Sequence, residues 1–222
     1  MREIALDTET TGLNYGGDDR IVEIGGVELL NHIATGRTFQ CYVNPERDVP
    51  EGAFRVHGLS REFLSKHSAF ADVADGFLEF IGDSVLVIHN AGFDLGFINA
   101  ELKRLGRAEL PMERVIDTVK LARNKFPGAQ ANLDALCRRF AIDVSDRELH
   151  GALKDARLLA AVYLELVGGR QPDLELAAIR QTAEVIAGRQ TPRPPRLYAP
   201  TPEEEAAHAN FLEKLDSPVW RR

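Results

Sequence analysis

The pattern of apolar and polar residues predicts a chain that begins with three strands. Ile4 and Leu6 alternate with small or polar neighbours, which is the period of a half-buried strand. Two further apolar segments, 21–29 and 38–43, follow at short distances in the sequence. Because short links join antiparallel neighbours, these three segments are expected to form an antiparallel meander.

The middle of the chain has the periodicity of helices that pack on a buried strand. Apolar residues recur at helical spacing in segments 70–81, 95–105 and 156–163. The uninterrupted apolar run 85–88 is typical of a strand buried on both faces, and a shorter strand is expected at 115–116. Three more helices are expected to begin after residues that suit an N-cap: Ser60, Asp117 and Asn132.

The last part of the chain changes character. Five of the eleven prolines lie between positions 192 and 202, with arginines among them, which is typical of an extended linker. Thr201 then suits an N-cap, with Pro202 at the first helical position and Glu204 at the third. The predicted organisation is a domain over 1–170, a short segment over 171–188, a proline-rich linker over 189–202 and a tail over 203–222.

Composition and charge restrict the class of protein. The chain has 222 residues, of which 44% are apolar and 27% charged, as in a folded soluble protein. The first residues lead directly into a strand, so no signal peptide is expected, and Cys41 and Cys137 are expected as buried thiols of the cytoplasm. A net charge of −7 argues against electrostatic binding of duplex nucleic acid, although a nuclease could contact phosphate through bound metal.

Four carboxylates lie where strands end or helices begin. Asp7 and Glu9 are two residues apart on a strand and therefore face the same side. Asp94 follows a buried strand and Asp155 begins a helix, at junctions where α/β sheets bind ligands. A divalent cation would relieve the repulsion within the first pair, and oxygen ligands favour Mg²⁺ or Mn²⁺. The simpler alternatives are a solvated strand end and an acid that favours a helix dipole.

A histidine precedes the last of these acids. His150 lies five residues before Asp155, about 140° away on a helical wheel. It would share the site of Asp155 only from a loop ahead of the helix, which Gly151 makes plausible. Alone, it would more simply be a polar loop residue.

Three motifs together resemble the DEDDh family of 3′–5′ exonucleases, within the ribonuclease H-like superfamily. They are the segments 7–12, 89–94 and 150–155. The histidine five residues before the final acid indicates the His subclass, because the sister subclass has a tyrosine at position 151, which is glycine here. The resemblance implies an α/β fold with a mixed five-stranded sheet flanked by helices, followed here by a flexible tail with a short helix.

The resemblance also implies a reaction, the hydrolysis of phosphodiester bonds with two Mg²⁺ or Mn²⁺ ions, which releases 5′-mononucleotides from a 3′ end. By resemblance, Asp7 would bridge both ions, and Glu9 and Asp155 would complete one of them. Asp94 would hold the second ion largely through water. His150 would take the proton from the attacking water.

Other residues are implied to bind the terminal nucleotide: Thr8, Thr10, Glu51, His57, Asn90 and Phe93. The spacing from Glu51 to His57 differs by one residue from the family pattern. Phe93 could stack on a base, as could Phe54, although core packing explains either phenylalanine equally well.

Segments 21–25, 54–59 and 133–137 narrow the resemblance to the proofreading exonucleases of bacterial DNA polymerase III. This branch implies three partners: the single-stranded 3′ end of DNA, the catalytic (alpha) polymerase subunit and a small accessory subunit. The expected contacts with the catalytic subunit are apolar residues of the tail: Phe211, Leu215 and Trp220.

The segment 171–188 resembles the short motif by which replication proteins bind the sliding clamp, through Gln171, Leu174 and Leu176. A plain amphipathic helix explains the same residues. Two alternatives for the whole protein also remain open. One is an RNA exonuclease similar to ribonuclease T or oligoribonuclease, and the other is a structural adaptor between polymerase and clamp. An inactive adaptor would be free to lose its acids, and all are present.

Overall fold

Five strands form the central sheet of the domain. In the computed structural model, which describes residues 1–145, 149–169 and 199–214, they are β1 (Arg2–Thr10), β2 (Ile21–Leu30), β3 (Ile33–Tyr42), β4 (Val85–Ile88) and β5 (Val115–Asp117). The order across the sheet is β3-β2-β1-β4-β5. β1, β2 and β3 are antiparallel neighbours, whereas β4 and β5 run parallel to β1. The prediction of a mixed five-stranded sheet is therefore confirmed.

Eight α-helices lie in the described part of the chain: α1 (Glu51–His57), α2 (Arg61–Leu64), α3 (Phe70–Ile81), α4 (Ala91–Arg104), α5 (Thr118–Lys125), α6 (Leu133–Arg139), α7 (Ala152–Leu166) and α8 (Pro202–Leu212). The three predicted N-caps are confirmed. Ser60 accepts a hydrogen bond from a backbone N–H of α2, Asp117 from one of α5 and Asn132 from one of α6. Each side chain satisfies a donor that the helix itself leaves unpaired.

Helices cover both faces of the sheet, and β1 separates the two layers. Ile4 and Leu6 pack with α3 and α4, whereas Ala5 packs with α6 and α7. Side chains alternate along a strand, so Asp7 and Glu9 share the face of Ala5. Both acids are thereby directed toward the layer that contains α7.

One helix and two element boundaries differ from the predictions. The helix α1 is not indicated by the hydrophobic pattern, because His57 is its only buried residue. β3 begins five residues earlier than predicted, because the turn residues Asn31 and His32 adopt positive φ angles of 50° and 68° and close a tight hairpin. α4 begins at Ala91, which places Asp94 in its first turn.

The two cysteines are free thiols, with Cys137 buried as predicted and Cys41 only partly buried.

The C-terminal region is a separate unit, residues 174–222, of which the structure describes 199–214. α8 begins as predicted, with a capping box in which Thr201 and Glu204 bond each other's backbone N–H. Phe211 is 56% exposed. The other predicted contact residues lie outside the described part, as do the segment 171–188 and most of the linker: Gln171, Leu174, Leu176, Leu215 and Trp220. No helix among the described residues has the length and apolar character needed to cross a membrane.

Candidate active site

The predicted acids meet at the end of the sheet where β1 and β4 finish. Leu6 pairs with Ile88, so the connection from β4 to α4 starts beside Asp7. On the other face of the sheet, α7 begins at Ala152 and presents Asp155 from its first turn. Acids separated by almost 150 residues are thus brought to one edge, at the carboxyl ends of parallel strands.

Three of the predicted residues form a compact group: Glu9, His150 and Asp155. Each offers one potential ligand atom, and these atoms all lie within 4.8 Å of one another. Glu9 and Asp155 are buried, whereas His150 is exposed. In residues 1–145, 149–169 and 199–214 this is the one group of that kind. Two buried carboxylates beside an imidazole suit a divalent cation that prefers oxygen ligands.

Asp7 and Asp94 flank this group without belonging to it. Asp7 is partly buried on the same face of β1 as Glu9, two residues earlier. Asp94 approaches from α4, where its Oδ1 accepts hydrogen bonds from both the backbone N–H (2.9 Å) and the hydroxyl (2.7 Å) of Thr8. Thr8 therefore links the second acid motif to the first.

His150 lies ahead of α7, as its possible contact with Asp155 required. Its Nδ1 is 3.1 Å from Oδ2 of Asp155, and its backbone N–H donates to the carbonyl of Val56 in α1 at 3.1 Å. An ionised Asp155 favours the tautomer with the proton on Nδ1, which makes Nε2 the basic nitrogen. The pair therefore has the geometry of an oriented general base.

Asp94 is almost completely buried, and burial raises the pKa of its carboxyl to about 7 although the hydrogen bonds from Thr8 oppose the shift. The folded state therefore binds a proton more tightly than the unfolded state, where the pKa is 3.8. Between these two values, raising the pH removes stability from the metal-free protein.

We compare the EDTA-treated wild-type protein with an Asp94→Asn variant. Between about pH 5 and pH 8, the melting temperature of the wild-type protein should fall by about 5 °C more than that of the variant. Adding Mg²⁺ at pH 8 should recover the loss in the wild-type protein, because a cation compensates the buried charge. Thermal melts of both proteins at each pH test this. Parallel pH profiles would show that Asp94 titrates like an exposed acid.

A cavity of about 600 Å³ opens beside Glu9. Its walls include four of the predicted nucleotide-binding residues: Thr8, Thr10, His57 and Phe93. The volume is in the range of small-ligand sites. His57 accepts a hydrogen bond on Nδ1 from the Leu59 N–H at 3.0 Å. Its buried Nε2 forms no hydrogen bond of standard geometry within the described chain, although the Thr10 backbone is close enough to oppose the fall of the His57 pKa. Burial lowers the pKa of His57, so the ring is neutral at pH 7.

Two predicted nucleotide-binding residues are not among those lining this cavity. Glu51 is exposed and forms an ion pair with Arg55 on the surface of α1. Asn90 is exposed at the N-cap of α4, where it adopts a left-handed conformation. The two phenylalanines, for which base stacking and core packing were the alternatives, differ in their surroundings. Phe54 is 42% exposed and is not a core residue, whereas Phe93 both lines the cavity and packs on Phe97.

Apart from His57, the wall formed by α1 was not predicted from the sequence. It consists of residues at or just before this helix: Pro50, Gly52, Ala53, Val56 and His57. Leu13, which also lines the cavity, is 84% exposed. The usable signal was the small pair Gly52 and Ala53 at the start of a helix that follows Pro50, since small side chains there leave room for a ligand.

Known proteins that resemble this chain are nucleases. A family model described as Exonuclease, of the RNase T type, matches residues 4–163. The DNA polymerase III epsilon subunit of Rickettsia felis is 50% identical over 222 residues, which cover 97% of each chain. The epsilon subunit of Escherichia coli K12 is 43% identical, over 99% of this chain and 97% of its own.

Solved structures give a consistent result. Exonuclease X in complex with 5′-overhanging duplex DNA is 28% identical, with a TM-score of 0.59 over 78% of this chain and 95% of that one. The nuclease domain of 3′hExo, a DEDDh member bound to rAMP, has a TM-score of 0.65 at 21% identity, over 75% of this chain and 92% of its own. The second likeness concerns the fold alone.

Proposed function

Because the chain belongs to the RNase T-type, DEDDh family of exonucleases, we propose that it is a 3′–5′ exonuclease of the DNA polymerase III epsilon type. In this role it removes mismatched nucleotides from the 3′ end of a growing DNA strand. The observation that carries the proposal is the group of Glu9, His150 and Asp155 within 4.8 Å, next to a cavity that can hold a terminal nucleotide.

The proposed cofactor is a pair of Mg²⁺ or Mn²⁺ ions held by the four acids. Glu9 and Asp155 would share one ion, Asp7 would contact both, and Asp94 would hold the other. When bound, the ions supply positive charge at the attacking and leaving oxygens of the phosphodiester. The buried Asp94, with its raised pKa, supports this assignment because a cation would compensate its charge when it ionises.

His150 would act as the general base. Its Nδ1 contact with the buried Asp155 supports this role, since the contact orients the ring and leaves Nε2 to accept the proton of the attacking water. The exposure of the His150 side chain, at 48%, permits exchange of that proton with solvent.

Residues of the cavity would hold the terminal nucleotide. The place of His57 in the cavity wall supports a hydrogen bond between its Nε2 and that nucleotide, because this buried atom forms no hydrogen bond of standard geometry within the described chain. Phe93 offers an aromatic surface for a base, and such stacking tolerates any sequence, as a proofreading enzyme requires.

The substrate is tested with a 5′-labelled DNA primer that carries one 3′ mismatch on a template. We expect single-nucleotide shortening that requires Mg²⁺ or Mn²⁺ and is faster than for the matched primer. An RNA oligomer of the same sequence is the comparison. Faster cleavage of RNA would instead favour the RNA exonuclease alternative, and no cleavage in either metal would favour the adaptor alternative.

The proposed partners are those of a replication subunit working in the cytoplasm. The catalytic (alpha) polymerase subunit would bind the tail 203–222 through Phe211, Leu215 and Trp220. The sliding clamp would bind the segment with Gln171, Leu174 and Leu176, and a small accessory subunit would bind the exonuclease domain. The exposure of Phe211 supports a partner for the tail, because a short isolated helix is marginally stable.

Truncation after residue 185 should therefore leave activity on short single-stranded DNA unchanged within about twofold, whereas binding to the polymerase subunit should be lost. Trp220→Ala alone should weaken the complex about tenfold or more, as expected for an interface anchor. Titration of the full-length, truncated and Trp220→Ala proteins against the polymerase subunit, beside a nuclease assay, tests both statements. Equal binding by all three would move the polymerase contact to the exonuclease domain.

A further inference from the structure

A buried carboxylate outside the proposed catalytic group contacts the start of α7. Glu23 lies on β2, 2% exposed, and its Oε2 accepts a hydrogen bond from the backbone N–H of Ala152 at 3.1 Å. Its Oε1 accepts from Nε2 of Gln40 at 2.8 Å. Ala152 is the first residue of α7, and the N-cap residue Gly151 provides no side-chain cap. Glu23 on β2 therefore accepts a hydrogen bond from an N–H group that α7 itself leaves unpaired.

The absence of a side chain at Gly25 makes this contact possible. A Cβ atom built there would lie 2.2 Å from the backbone carbon of Ala152 and from the backbone nitrogen of Leu153. Real structures do not tolerate such a distance to backbone atoms. Any larger residue at position 25 would push the first turn of α7 away from β2.

The position of Glu23 places it near a second buried carboxylate. The repulsion between the two favours a functional reason for keeping the hydrogen bond to Ala152. In the register of β1 and β2, Glu23 lies directly opposite Glu9, and both are buried. Like charges that face each other across strands destabilise a sheet. An apolar residue at position 23 would remove this repulsion, but it would leave the N–H of Ala152 without its acceptor.

The first turn of α7 carries Asp155, and His150 directly precedes it. His150 is also held by its backbone N–H on Val56, two residues before the N–H that Glu23 accepts. We propose that Glu23, with Gly25, is a positioning residue for the active site: it fixes the start of α7 and thereby sets the places of His150 and Asp155 relative to Glu9. This inference rests on the proposed exonuclease function.

The test compares Glu23→Leu, which removes the acceptor, with Glu23→Gln, which keeps an oxygen for the N–H of Ala152. Gln40 can reverse its amide to suit the glutamine. At saturating Mg²⁺ and oligonucleotide, Glu23→Leu should lower the turnover number about 100-fold with KM within about threefold, as expected when catalytic groups are displaced. Glu23→Gln should stay within about fivefold of the wild-type turnover.

The matched control is at the other end of the same helix. Tyr163 of α7 donates to the buried Glu3 of β1 at 2.7 Å, so Tyr163→Phe removes a comparable contact between α7 and the sheet. It should destabilise the protein and leave turnover within about twofold, because it lies far along the helix from Asp155. Equal loss of turnover in Tyr163→Phe would mean that Glu23 only docks the helix, and the inference would fail.

An NMR spectrum of the His150 ring protons gives a readout apart from activity. These signals should shift in Glu23→Leu, return in Glu23→Gln and stay unchanged in Tyr163→Phe. Should Glu23→Leu not fold, Gly25→Ala replaces it, with the same loss of turnover and the same shift expected. Wild-type turnover in the Leu or Ala variant, or a Gln variant as slow as Leu, would overturn the inference. A wild-type protein inactive on DNA and RNA would overturn the proposed function instead, and the ring signals would still test the positioning.

Discussion

Replacement of Asp7 and Glu9 together by alanine is expected to abolish exonuclease activity, with a loss on the order of 10⁴-fold or more. The two acids share one face of β1, and the potential ligand atoms of Glu9, His150 and Asp155 all lie within 4.8 Å of one another. Without them, no carboxylate remains at the end of β1 that faces His150 and Asp155. The EDTA-treated variant should melt at the wild-type temperature or slightly above it, because the change removes repulsion among buried carboxylates.

The measurement combines single-turnover hydrolysis of a labelled oligonucleotide with thermal melts in EDTA and in Mg²⁺. Stabilisation by Mg²⁺ should be lost in the double variant, because only a folded site that binds the ion gains stability from it. Glu3→Gln is the matched control, since Glu3 is buried on the same face of β1 but bonds Tyr163. A large fall in melting temperature for the double variant, equal to that of Glu3→Gln, would show that the two acids are structural.

Substitution of His150 by alanine is expected to lower turnover about 10²- to 10⁴-fold while metal affinity barely changes. The alanine keeps the backbone hydrogen bond to Val56, so the segment before α7 should hold its place. The substitution removes the proton acceptor together with the ring's contact to Asp155. The acidic limb of the pH–rate profile should flatten as well, since it reports protonation of this base in the wild-type enzyme.

A second histidine provides the control for this experiment. His32 is 38% exposed and pairs with the buried Glu3, much as His150 is 48% exposed and pairs with the buried Asp155. His32→Ala should leave turnover unchanged. Metal affinity, followed by calorimetry with Mn²⁺, decides between two roles for His150. A His150→Ala variant that no longer binds Mn²⁺ would identify the histidine as a ligand rather than a base.

The features that the sequence predicted well depend on local signals. The helix α3 repeats buried residues such as Phe70, Phe77 and Ile81 at helical spacing, and its bounds match the prediction. The N-caps Asp117 and Asn132 act on N–H groups two or three residues away, so their effect can be read from the neighbouring sequence. Motif spacing also led to the prediction of the four acids and His150, and the structure brings Glu9, His150 and Asp155 together, while their catalytic roles stay a prediction.

The features that were missed depend on distant contacts. Glu23 and Ala152 are 129 residues apart, and nothing in the local sequence of either indicates their hydrogen bond. An acid within an apolar strand was a signal, but it gives no information on the partner. The helix α1 has one buried residue, so its sequence lacks the apolar stripe from which a helix can be predicted. Glu51 could therefore be assigned to the nucleotide by resemblance, although the fold turns it toward solvent and Arg55.

The alternation along β1 has a consequence for how this chain can change in length. Ile4 and Leu6 on one face fill the core under α3 and α4, and Asp7 and Glu9 on the other face supply the acids. Deletion of a single residue ahead of Asp7 would exchange the faces of all residues before it relative to the acids. Core packing and the position of the acids thus depend on the same alternation of side chains along β1. A change of chain length should therefore be tolerated in the loop 11–20 but not within β1, where the number of residues matters as much as the carboxylates themselves.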